Sequence, residues 1–163
     1  MIDAETRALS IHVLEACRAR RWLVATAESC TGGLVAGALT EIAGSSDVVD
    51  RGFVTYSNFA KTALLGVPEA TLAAHGAVSS ATAEAMAQGA LARAGVDLTV
   101  AITGVAGPGG GSAEKPVGLV HFAAAAKDGR LTHREKRYGD IGRSEVRRLS
   151  VIEALDMLLE LAA

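Results

Sequence analysis

The chain has 163 residues, half of them apolar and 21% charged, with a net charge of −2. Such a balance excludes a disordered chain, and a weakly acidic protein with only 4% aromatic residues lacks the basic stripe and stacking rings of a nucleic-acid reader. No uncharged run approaches the ~18 residues of a membrane helix, and the first residues carry acids rather than an apolar leader core, so a cytoplasmic protein without a membrane partner is expected.

Apolar positions Ala8, Ile11, Leu14, Ala16 and Cys17 recur at helical spacing through residues 3–20, and the arginines at 18, 20 and 21 suit a helix C-terminus. Residues 22–27 form a short apolar run fit for a buried strand, followed by the turn Glu28 to Gly33 and a helix over 34–42. A second strand is expected from Val48 to Tyr56, then short helices over 58–65 and from Pro68 to Ala74. Ser79 or Ser80 caps a helix over 81–94 that Gly95 ends. Residues 97–102 give a third strand, and a Gly/Pro-rich loop runs from Gly104 to Pro116. Residues 117–126 and 131–138 form an antiparallel hairpin around Asp128-Gly129, and residues 143–161 form a long amphipathic helix. The order of elements predicts one α/β domain over residues 1–163, three-layer-like, with a mixed parallel and antiparallel sheet flanked by helices. The long apolar face of 143–161 and the alanine-rich strand 117–126 would be covered within the subunit or, preferentially, across a homo-oligomer interface.

Three loops end predicted strands, where open α/β sheets place ligands. In the first, Glu28-Ser29-Cys30-Thr31-Gly32-Gly33, backbone N–H groups lie beside a helix's positive end. It can hold a phosphate, stabilise an oxyanion next to a hydroxyl nucleophile, or simply cap the helix. The second brings Tyr56 and Lys61 near one another. Lysine is scarce in this arginine-preferring chain, and unlike arginine a buried lysine can give up its proton, although a solvated helix lysine is the plainer alternative. The third, Thr103 to Gly111, matches neither the dinucleotide nor the Walker A glycine pattern. Its glycine density implies close backbone approach or a flexible connector. His12, His75, His121 and His133 are scattered and the two cysteines lack metal spacing, so no metal and no cofactor are expected. Cys30 is an alternative thiolate nucleophile, but no histidine is placed to activate it.

The strings Ala27 to Gly33, Ala43 to Ser46, Arg51 to Asn58, Lys61, His75 to Ser79, Gly104 to Pro108 and Lys115 to Gly118 occur in that order. Together they resemble the CinA C-terminal domain family, whose stand-alone members are nicotinamide-nucleotide amidohydrolases, over roughly residues 5 to 160. The resemblance implies metal-free hydrolysis of the carboxamide of nicotinamide mononucleotide to nicotinic acid mononucleotide and ammonia. Carried over position by position, it makes Ser29 the nucleophile, Lys61 its base, Tyr56 a partner in the proton transfer and Thr103 a further part of the site. It implies Cys30, Thr31, Gly32, Gly33, Asn58, Gly104 and Arg143 as substrate contacts, with Arg143 toward the phosphate. A helix N-terminus with Arg143, Arg147 or Arg148 would complete the anion site. A non-catalytic nucleotide-binding or scaffold domain associated with competence or DNA repair is the alternative.

Overall fold

A computed structural model describes residues 2–163. The elements are α1 (Ala4–Arg20), β1 (Val24–Glu28), α2 (Leu34–Thr40), β2 (Val49–Val54), α3 (Asn58–Leu65), α4 (Glu69–His75), α5 (Ser80–Ala94), β3 (Leu98–Gly104), β4 (Leu119–Ala126), β5 (Leu131–Arg137) and α6 (Arg143–Ala162), with a 3-10 turn at Ser45–Asp47. The sheet order is β2-β1-β3-β4-β5. β1 pairs parallel with β2 and β3, whereas β4 runs antiparallel to β3 and to β5. This is the mixed sheet flanked by helices that the sequence pattern predicts.

Alternation along the strands divides the core in two. Leu98, Val100 and Ile102 of β3 and Val120, Phe122 and Ala124 of β4 pack with α1, α2 and α6. Ala101, Ala123 and Ala125 face Leu65 of α3 and Ala83, Met86, Ala87 and Ala90 of α5. The alanine-rich β4 is buried along its whole length, because small side chains let helices approach on both faces. α6 likewise buries its apolar face between α1 and the sheet. The two faces expected to lie at a homo-oligomer interface are thus covered within the chain. The large apolar side chains left exposed include Leu34, Val54, Tyr56 and Phe59, around the β2 edge and the loop that follows it.

Boundaries shift where backbone bonding overrides pattern. Glu28 is the last residue of β1 rather than a loop residue, and β2 ends at Val54, leaving Tyr56 in the connection to α3. The first strand starts at Val24 and the fourth at Leu119, because Trp22 and Val117 lie outside the ladders. α2 stops at Thr40, short of Ile42.

α5 crosses α3 at Gly89, where a Cβ would sit 1.9 Å from the Leu65 carbonyl oxygen. In an open helix, Gly→Ala gains roughly 0.5–1 kcal/mol. Here the two helices would have to separate, so Gly89→Ala is expected to destabilise the protein by about 1–3 kcal/mol. A lower urea midpoint at unchanged m-value would show it, and an unchanged or higher midpoint would contradict this packing.

Candidate active site

Parallel strands β1 and β3, with β2, deliver their C-terminal ends to one side of the sheet, and the ladder continues past them. Ser29 N–H donates to Ile102 O and Thr55 N–H donates to Glu28 O, both at 2.9 Å. These bonds fix the two loops before any side chain acts. Strand alternation then sends neighbouring residues to opposite faces: Glu28 lies under α2, and Ser29 turns toward α3.

α3 is capped by Ser57, whose Oγ accepts from Ala60 N–H, and it places Lys61 one turn in, 1% exposed. Lys61 Nζ lies 2.9 Å from Ser29 Oγ. It donates to the carbonyls of Thr55 at 2.9 Å and Tyr56 at 3.4 Å. A neutral amine carries two N–H bonds and one lone pair. In a neutral amine whose two hydrogens go to these carbonyls, the lone pair would face the Ser29 hydroxyl. Burial holds the Lys61 pKa below the ordinary lysine range, against a smaller opposing effect of Cys30. An amine so placed, when neutral, is chemically able to accept a proton from a hydroxyl.

The cleft around this pair has a volume of about 280 Å3. Ser29, Cys30, Tyr56, Lys61, Thr103, Gly104 and Arg143 all line it, which brings together all four expected catalytic positions and three of the seven expected contacts. Thr103 Oγ1 donates to Ala77 O at 2.8 Å and so holds the wall formed by Ala77 and Val78. Tyr56 offers its carbonyl, not its phenol, to Lys61. The phenol oxygen instead accepts from Arg143 at 2.8 Å, so the structure shows no bond through which it shares the serine proton. Arg143 also donates to Gly107 O at 2.8 Å, joining α6, the glycine-rich loop and the β2–α3 connection.

The other four expected contacts lie elsewhere. Thr31 is buried and donates to Glu28. Gly32 packs against Arg147, and Gly33, at φ 101°, packs against Val54. Asn58 lies in a separate groove with Phe59, Thr62 and Leu72. At the α2 N-terminus the Val35 and Ala36 N–H groups donate to the Glu28 carboxylate at 2.9 and 3.1 Å. Arg147 is spent on the carbonyls of Cys30 and Thr31, and Arg148 on Glu145 and Asp3. Arg143 is the arginine that reaches the cleft.

Three N–H groups of the turn, those of Cys30, Thr31 and Gly33, donate to no backbone oxygen among the described residues. Cys30 is 5% exposed, and burial pushes its thiol up to about 12, with Glu28 adding to the shift. It is therefore protonated at neutral pH and a poor nucleophile. Sequence reasoning missed Ala77, Val78 and the Thr55 carbonyl, whose contributions come from backbone and shape and leave no chemical signature. Among the described residues, no three His, Cys, Asp or Glu side chains gather so as to hold a metal ion, and no helix is long and apolar enough to cross a membrane.

Fold and cleft together define an α/β protein that pairs a serine hydroxyl with a buried lysine amine at the ends of parallel strands. Comparison with known proteins places it further. The CinA C-terminal domain family model matches residues 6–162, and the chain belongs to that family. It is 51% identical over 160 residues to nicotinamide-nucleotide amidohydrolase PncC of Enterobacter agglomerans, covering 98% of this chain and 96% of that protein. A CinA-like protein of Synechococcus sp. (strain RCC307) is 54% identical over 156 residues, covering 95% of this chain but 37% of its own longer length. The crystal structure of competence/damage inducible protein CihA from Agrobacterium tumefaciens superposes with a TM-score of 0.98 at 56% identity, covering 100% of this chain and 99% of that one.

Proposed function

We propose that the chain hydrolyses the carboxamide of nicotinamide mononucleotide, giving nicotinic acid mononucleotide and ammonia. The near-full-length identity to a nicotinamide-nucleotide amidohydrolase supports the substrate. The observation that carries the chemistry is the 2.9 Å approach of a buried, cation-disfavouring lysine to Ser29.

An amide is a weak electrophile, so the hydroxyl must lose its proton as it attacks. Ser29 Oγ bonds to the carboxamide carbon while its proton passes to Lys61 Nζ. The oxygen that becomes negative requires a donor already in place, and the N–H of Cys30, the residue of the turn that lines the cleft beside Ser29, is suited to supply it. Lys61, now an ammonium, protonates the departing nitrogen, which leaves as ammonia, and an ester to Ser29 remains. A water molecule gives its proton to Lys61 and adds to that ester. The nicotinic acid product departs as the same proton returns to Ser29. Arg143, beside the backbone of Gly107, Gly109 and Gly110, is the cation suited to the nucleotide phosphate. The reading includes a cytoplasmic setting, consistent with two free cysteines, and a homo-oligomer using the exposed apolar residues around the β2 edge.

With nicotinamide mononucleotide as substrate, one ammonia is expected per nicotinic acid mononucleotide formed, at the same rate with and without a chelator. Loss of activity on chelation would overturn the metal-free scheme. Nucleotide binding without ammonia release would favour the scaffold alternative.

A further inference from the structure

Glu28 is the last residue of β1 and fully buried, and among the described residues its carboxylate is bonded by hydroxyls and backbone N–H groups rather than by a lysine or arginine. One carboxylate oxygen accepts from Thr31 Oγ1 at 2.7 Å and Val35 N–H at 2.9 Å. The other accepts from Ala36 N–H at 3.1 Å and Thr26 Oγ1 at 3.3 Å. An uncompensated buried charge is expensive, so these donors and the positive end of α2 must offset its lost hydration. The bonds reach both ends of the segment that carries Ser29: one end is Glu28 itself, the other the first turn of α2.

We propose that Glu28 is a positioning residue for the reaction, whose carboxylate fixes the Ser29–Gly33 turn so that the serine hydroxyl meets Lys61 and the Cys30 N–H faces the developing oxyanion. This rests on the assignment of Ser29 as nucleophile. Three consequences follow from the geometry. The α2 amides are consumed, which confines oxyanion donors to the turn. The α2 dipole is offset by a carboxylate and no longer draws an anion to the helix end. And the same charge opposes ionisation of Cys30, so that thiol does not compete with the hydroxyl beside it.

The test is steady-state kinetics of wild type, Glu28→Gln, Thr31→Val and Thr31→Ser with nicotinamide mononucleotide. Glutamine is isosteric but turns an NH2 group onto donors. A turn displaced by about 1 Å costs on the order of 100-fold in rate. Glu28→Gln is therefore expected to lower kcat roughly 100-fold and leave KM within about 3-fold, because the phosphate contacts are untouched. Thr31→Val should lower kcat in the same direction, and Thr31→Ser, which restores the hydroxyl, should recover most of it. Iodoacetamide labelling of Cys30 should shift to lower pH in Glu28→Gln, a response that general loosening of the fold would not confine to one thiol. A folded Glu28→Gln variant with wild-type kcat, or one affected only in KM, overturns the proposal. If that variant does not fold, the Thr31 pair decides, and equal kcat in valine and serine overturns it. A wild-type protein that releases no ammonia removes the reaction assignment and this role with it. Wild-type turnover with an equally active Glu28→Gln removes this role alone.

Discussion

Ser29→Ala is expected to reduce ammonia release from nicotinamide mononucleotide by at least about 10^4-fold in kcat, the scale on which removal of a covalent nucleophile acts. Nucleotide affinity should change little, because Arg143 and the glycine-rich wall remain in place. Calorimetric titration of the variant beside the wild type measures this split. The substitution removes one oxygen from the β1 end and leaves the Ser29 N–H bond to Ile102 intact, so the fold is expected to survive. An alanine variant with unchanged turnover would exclude Ser29 as nucleophile and return attention to Cys30. That thiol, pushed up to about 12, would then need an activation the cleft does not show.

Lys61→Arg keeps a positive charge and is nonetheless expected to lose roughly 10^3-fold in kcat, within the range for a general base. A guanidinium has no lone pair to accept a proton. Activity retained by arginine would reduce Lys61 to a charge that orients substrate. The pH dependence tests the same amine independently. The base acts as the neutral form, so kcat/KM should rise with pH through the Lys61 pKa, which burial places below the usual ~10.4. Stability carries the matching sign. Between the lowered folded pKa and the unfolded value near ~10.4, the unfolded chain binds the extra proton, so stability climbs with pH across that window. Below the folded pKa the penalty is complete, and above ~10.4 it is gone. Urea unfolding across this range should show a steeper rise for wild type than for Lys61→Met. Equal slopes would mean that Lys61 titrates as a solvated lysine.

The element order, the mixed sheet and the turn after β1 were legible because hydrophobic period and glycine placement are local properties of the chain. Ser29 stood out in the same way, as a small polar residue between a buried strand and glycines. Lys61 drew notice only as a lysine among arginines. Its meaning came from the three oxygens that surround it, two of them carbonyls of the preceding loop, which no side-chain pattern records.

Sequence by itself determined that a buried strand runs into a turn of small polar residues and glycines and then a helix, since apolar runs and glycine placement are local properties. It also set the chemical types available to the cleft. Tertiary structure decided the rest: that Glu28 occupies the α2 N-terminus in place of a substrate phosphate, that Tyr56 meets Arg143 with its phenol, and that Asn58 opens into another groove. Those outcomes depend on how residues far apart in the chain compete for the same donors and the same buried space, and that competition is settled only when the layers pack.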